Sequence, residues 1–247
     1  MLKQTLGFLF LKKETYLVLF SLFFIAGCSG THDRALKNEG YEPDGIGFIQ
    51  AVKDNNSKAV GWFLKTPKVH SFEDKSGATA VFYAAGQQTP EMLNTLLSAG
   101  LPVELKDNSK KNPLHYAVES GCAQNVKTLL ERGVDPSWQD NFERDAFNTL
   151  ISQRKKEDVE IFELLVKAGV NLNSKDIDKK TPLIISAEKG FPNYMQKLIN
   201  LKVSPLHKDY KGNTALDYAT ENYEKRVIGH EIFELLTEYT INIKGNL

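Results

Sequence analysis

Cysteine is scarce: two in 247 residues, too few for a disulfide framework. No charge predominates either. Lys plus Arg number 31 and Asp plus Glu 31, a formal net charge of 0, so no strong field draws the chain to nucleic acid. The longest apolar run, residues 16–25, falls short of the about 20 residues that a membrane-spanning helix needs. Five histidines (His32, His70, His115, His207 and His230) occur without His-x-x-x-His or Cys-x-x-Cys company, so the common metal-site spacings are missing. Gly-x-Ser-x-Gly elbows, phosphate loops and dinucleotide fingerprints are missing too. No metal, no cofactor and no enzymatic activity are expected.

What the chain does have is a period. "NPLHYAVESGCAQNVKTLLERGVDP", residues 112–136, reads as turn, helix, turn, helix, turn. Val126, Leu129 and Leu130 fall at i, i+3 and i+4, one stripe of a helix. Gly133 suits the left-handed turn that ends it. Neither helix is long enough to stand alone. Asp74, Asp107, Asp140, Asp176 and Asp209 open similar blocks, at spacings of 33, 33, 36 and 33. Five residues after each stands Thr79, Asn112, Asp145, Thr181 or Thr214, all capping types. Pro113 and Pro182 follow two of them, at a position where proline is pre-organised for a helix.

The second helices align in three apolar columns. They are Val60, Leu93, Val126, Phe162, Met195, Ile232; Phe63, Leu96, Leu129, Leu165, Leu198, Leu235; and Leu64, Leu97, Leu130, Val166, Ile199, Leu236. Each block must therefore bury its stripe on its neighbours, and the array is the fold.

A 33-residue helix pair with Thr-Pro-Leu-His at its first helix resembles the ankyrin repeat. "NPLHYAVESG" is the closest copy, and "KKTPLIISAEKG" and "GNTALDYA" are good ones. "GATAVFYAAG" puts Phe82 where the family has His. The block after Asp140 lacks Thr-Pro and carries three extra residues near Ser152 to Asp158. The last block has about four more near Tyr223 to Gly229. The resemblance implies an all-α ankyrin solenoid over residues 44–241, with hairpin-like fingers between units and a tail at 242–247. The units run 44–73, 74–106, 107–139, 140–175, 176–208 and 209–241. It also implies that His115 bonds backbone or the capping residue across units.

Residues 1–27 stand apart from the repeats. Lys3, Lys12 and Lys13 precede the apolar run, the proportions of a signal peptide. Ile25-Ala26-Gly27-Cys28 resembles the bacterial lipobox, which implies cleavage before Cys28 and a lipid on it. A buried amphipathic helix with a chance cysteine, or plain secretion with cleavage after Gly27, are the alternatives. Ser29 rather than Asp implies outer-membrane anchoring, facing the periplasm. Residues 28–43 read as a polar tether of at most about 50 Å. Loss of the leader leaves 28 basic and 30 acidic residues, a net of −2. It also leaves Cys122 as either a packed small residue or a lone reactive thiol.

Partners of ankyrin stacks commonly sit on finger tips and first helices. Trp138, Phe142 and Arg144 stand together in "SWQDNFER", with Tyr210, Lys180 and Phe82 behind them as candidate contacts. Trp and Arg are enriched at binding hot spots, although Trp138 could equally pack on the next finger. Lys75, Lys110, Lys111, Arg144, Lys175, Lys179, Lys180, Lys208 and Lys211 line the fingers. Asp107, Asp140, Asp176 and Asp209 offset them to a mildly basic stripe that suits an acidic partner or anionic headgroups. Lipid-anchored ankyrin proteins resemble immunity proteins against type VI secretion effectors, phospholipases included. The rival expectation is a periplasmic scaffold or an oxidative-stress protein associated with catalase.

Overall fold

The computed structural model describes residues 31–66 and 70–245. The leader and Cys28 lie outside the described residues. Every regular element among the described residues is an α-helix, as the period predicts. The chain divides between Phe72 and Glu73 into two compact units.

In the first unit, residues 31–38 are helical (α1), followed by α2 (Gly45–Lys53) and α3 (Ser57–Phe63). Asp44 caps α2 by accepting the Gly47 N–H at 2.8 Å, and Asn56 caps α3 by accepting that of Ala59 at 3.0 Å. Phe48 packs on Phe63, ring centroids 5.4 Å apart. The expected tether at 28–43 is corrected from residue 31 onward. Leu36 and Tyr41 are buried. The Tyr41 hydroxyl donates to Asp54 at 2.9 Å, and Lys58 pairs with Glu39 at 2.7 Å. A polar composition concealed two apolar anchors, and two are enough to hold one short helix against α2 and α3.

The second unit holds five helix pairs. They are α4 (Ala80–Ala85) with α5 (Glu91–Ser98), α6 (Pro113–Ser120) with α7 (Ala123–Glu131), α8 (Ala146–Gln153) with α9 (Val159–Lys167), α10 (Pro182–Lys189) with α11 (Pro192–Asn200), and α12 (Ala215–Glu224) with α13 (His230–Gly245). First helices pack in succession, α4 to α6 to α8 to α10 to α12, and among the second helices α7 packs on α9 and α11 on α13. Leu93, Val126, Phe162, Met195 and Ile232 are buried, as are Leu96, Leu129, Leu165 and Leu198. The column register changes in α13, where Leu236 is fully buried and Leu235 only half. The extra residues before α13 release its start from the repeat. The helix also runs on to Gly245, so residues 242–245 continue the last helix instead of forming a tail.

Asn112, Asp145, Thr181 and Thr214 each accept a backbone N–H of the first turn that follows. Thr79 does not. Neighbouring units also close one another's helix ends. Asn125 donates its amide to the carbonyls of Ala84, Ala85 and Gln87 at 3.0–3.3 Å, finishing α4 from the next unit. Asn222 does the same for α10, through Ala187 and Glu188. These carbonyls lie at helix ends, where i+4 donors run out; Ala84 and Ala187 also accept the N–H groups of Gln87 and Gly190 at 3.2 Å.

The insertion in the third pair has a structural use. Residues 154–158 form a strap that joins three units. Arg154 donates to the Glu119 carbonyl at 3.1 Å, at the end of α6. Gly121 makes room for it: its φ is +80°, and a Cβ there would lie 2.2 Å from the guanidinium. On the other side, Glu157 accepts the Tyr194 N–H and the Asn193 side-chain amide, both at 2.6 Å. The N-cap of α11 is Phe191, which has no side-chain acceptor of its own. Glu157 supplies it from the preceding unit, and the Asp158 N–H donates to the Tyr194 hydroxyl.

Candidate functional site

Each finger is built around its aspartate. The Asp N–H donates to the carbonyl four residues on, at 2.9–3.1 Å. One carboxylate oxygen accepts the N–H groups at +2 and +4: Ser76 and Ala78 for Asp74, Ser109 and Lys111 for Asp107, Phe142 and Arg144 for Asp140, Asp178 and Lys180 for Asp176, Lys211 and Asn213 for Asp209. The turn closes through a left-handed residue at +3, occupied by Gly77, Lys110, Glu143, Lys179 and Gly212.

The second carboxylate oxygen differs among fingers. It accepts the Tyr83 hydroxyl in Asp74, Tyr116 at 2.8 Å in Asp107 and Tyr218 at 2.7 Å in Asp209. In Asp140 it takes the Arg144 guanidinium at 2.6 Å. At Asp176 the residue nine positions on is Ile185, which offers no hydroxyl. Burial works to raise Asp74, but Ser76, Tyr83 and the turn amides outweigh it and hold the carboxyl at about 2. Asp140 and Asp209 are likewise lowered against burial, by Arg144 and Tyr218 with their turn amides. Burial wins at Asp176, whose carboxyl is raised.

Successive fingers are tied by backbone. Asn108 N–H donates to Ser76 O at 2.8 Å, Asn141 to Ser109 at 2.9 Å, Ile177 to Phe142 at 2.9 Å and Tyr210 to Asp178 at 3.0 Å. His115 adds a deeper tie. Its Nε2 lies 3.0 Å from the Arg144 carbonyl oxygen, so that nitrogen carries the proton, and Nδ1 accepts the Asn112 N–H at 3.3 Å. Burial lowers its pKa and keeps the ring neutral. The histidine is a structural bridge.

The candidate contacts therefore separate. Phe82 is fully buried and packs edge-on to Tyr116 at 5.2 Å, which corrects its reading as a partner contact. It occupies the His115 slot, and that slot faces the next unit. Arg144 is mostly covered and committed to Asp140. Lys180 is mostly covered and pairs with Glu188 at 2.6 Å. Both hold the scaffold together. Trp138, Phe142 and Tyr210 are exposed, by 38%, 53% and 66%.

Trp138 does not simply rest on the next finger. Its indole N–H donates to the Lys110 carbonyl at 2.6 Å, and Lys106 Nζ stands 5.8 Å from the ring centroid. The ring walls an open groove of about 400 Å³. Val103, Leu105 and Val134 supply its other apolar lining, and Glu104, Lys106 and Asp135 its charged lining. Phe142 and Tyr210 are not in this groove. They stand in a row at the finger tips with Ile177, which is 55% exposed and was missed in the sequence. Its place one residue after Asp176, matching Tyr210 after Asp209, was the available signal.

No helix among the described residues is long and apolar enough to cross a membrane. Several known proteins share the repeats. An L-asparaginase of Dirofilaria immitis is 28% identical over 146 residues, 59% of this chain and 24% of that protein. Neurogenic locus notch homolog protein 1 of Danio rerio is 25% identical over 201 residues, 81% of this chain and 6% of that protein. Protein phosphatase 1 regulatory subunit 12A of Mus musculus is 33% identical over 129 residues, 52% of this chain and 12% of that protein. The chain spans a quarter or less of each, so the similarity lies in a module and not in the whole proteins. The family model for ankyrin repeats matches residues 48–140 and 150–246. The chain belongs to the ankyrin-repeat family, whose stacked helix pairs are protein–protein interaction modules.

Proposed function

We propose that this chain is a lipid-anchored, periplasm-facing immunity protein that blocks a type VI secretion effector, a phospholipase by preference, without chemistry of its own. The observation that carries the binding part is the Trp138 groove. An exposed, pre-positioned aromatic side chain that a partner can cover is a common energetic centre of a protein interface. The indole is already fixed by its bond to the Lys110 carbonyl, so little side-chain freedom is lost on binding. The anchor part rests on the lipobox-like Ile25–Cys28. With residues 31–38 helical, only Ser29 and Gly30 separate Cys28 from α1, and the first unit would sit at the membrane surface where such an effector attacks.

The test is co-expression. A lipase encoded beside this chain is directed to the periplasm with and without it. Restored growth and a one-to-one complex are expected, and Trp138→Ala should lose both while the protein still folds and melts cooperatively, at a temperature lowered by loss of the Lys110 bond. An alkyne fatty acid should label the chain and fail to label Cys28→Ala. Equal growth arrest with and without the protein, together with no recovered complex, sinks the immunity reading and leaves a periplasmic scaffold. A label that survives Cys28→Ala sinks the anchor.

A further inference from the structure

The finger tips have a chemistry separate from the groove. Phe142, Ile177 and Tyr210 are each more than half exposed. Backbone bonds from Ile177 to Phe142 and from Tyr210 to Asp178 hold the three tips side by side. Lys179 and Lys211 are exposed on the same fingers as Ile177 and Tyr210, Lys110 on the finger before Phe142, and Lys75 one finger further along the row, and none is in an ion pair among the described residues. The finger aspartates that offset these lysines in the sequence do not share the tip. Asp107, Asp140, Asp176 and Asp209 are buried, their carboxylates turned in on the turn amides. Asp74 is half-buried and bound to its turn amides and Tyr83, and beyond these aspartates Glu143 and Asp178 are the acids at the tips, against four lysines.

We infer that this tip row is a membrane-contact edge that seats on anionic phospholipid. Shape separates this from a second protein site. A stable protein interface covers a broad patch of about 800 Å² per partner, whereas the apolar tips form a single file along the ends of projecting turns. A bilayer interface accepts such a file. Aromatic and aliphatic side chains enter at headgroup depth, and lysines stay with the phosphates. The positive excess at the tips complements an anionic surface. The groove at Trp138 remains open to a protein, since none of the three tip side chains lines it.

The experiment uses the mature chain with Cys28→Ser, so that no acyl chain contributes. Its sedimentation with phosphatidylcholine vesicles is compared with that of vesicles also containing phosphatidylglycerol. Binding to the anionic vesicles, reduced by salt, is expected. Phe142→Ser, Ile177→Ser and Tyr210→Ser should each weaken it about tenfold, the loss of roughly half an apolar side chain's burial. Lys179→Gln and Lys211→Gln should each weaken it about fivefold. Melting curves should not move, because these side chains are exposed. Trp138→Ala should bind vesicles as the parent does, so failure here and failure of the immunity reading are told apart. No binding to anionic vesicles, or undiminished binding by the triple tip variant, overturns the proposal.

Discussion

Replacing Glu157 by alanine should loosen one unit of the array without touching its apolar columns. The carboxylate is the side-chain acceptor at the N-terminus of α11, through Tyr194 N–H and Asn193, both at 2.6 Å. A lost N-cap costs about 1 kcal/mol, and a hydrogen bond to a charged group about 1.5–3 kcal/mol. Glu157 is only half-buried, so water takes back part of that, and about 2 kcal/mol is expected. For a domain of this size the melting temperature should fall by about 4–8 °C. Glu157→Gln keeps a neutral acceptor and should lose about half as much. Lys156→Ala, exposed in the same strap, should change stability by less than about 0.5 kcal/mol. Hydrogen exchange places the effect. Amides in the first turn of α11 should exchange up to about 30-fold faster, and those of α4 and α5 should be unchanged. If Glu157→Ala melts with the parent and α11 keeps its protection, the strap is not what caps that helix.

Two further outcomes follow from the packing and the finger carboxylates. Leu129→Ala, in a fully buried column position, should cost about 2–5 kcal/mol. Asn112→Ala should cost about 1–2 kcal/mol, through the cap at His115 N–H, and urea titrations that reverse this order would contradict the column assignment. Asp74 and Asp176 should behave oppositely with pH. The Asp74 carboxyl is held at about 2, below its ordinary 3.8, so it stabilises above about pH 4 and that contribution is lost as pH falls toward 2. Asp176 is raised, so its contribution is full at low pH and is lost as pH rises through its folded value. At neutral pH, Asp74→Asn should therefore destabilise by about 1–3 kcal/mol and Asp176→Asn by less, or not at all. Denaturant curves at neutral and acid pH compare the two.

The apolar columns were legible because burial imposes a period on a helix face, and Leu93 through Met195 needed nothing but spacing. Caps at Asn112 and Asp145 were legible for the same local reason. The strap was not. Glu157 and Tyr194 are 37 residues apart, and a lone glutamate in a polar insertion has no signature. The tip chemistry was misjudged, since composition counts Asp107 and its equivalents as surface charge while the turn amides pull their carboxylates inside. Phe82 was misplaced although His115, in the equivalent slot, already pointed to an inward-facing position. Leu36 and Tyr41 show how two anchors can order a stretch whose average composition reads as linker.

The finger geometry bears on how such a protein changes over generations. In every finger one aspartate, buried in all but the half-buried Asp74, sets the loop by gripping backbone amides, and backbone atoms also make the ties from finger to finger. Side chains at the tips add to these ties at Asn108 and Asn141, which donate to the Lys75 and Asn108 carbonyls, whereas Ile177 and Tyr210 contribute their backbone N–H groups. The five positions after each aspartate already hold Lys75, Asn108, Asn141, Ile177 and Tyr210, a basic, two polar, an aliphatic and an aromatic side chain on one loop framework. A lineage can therefore rewrite what the tips present, one substitution at a time, while the framework beneath stays the same.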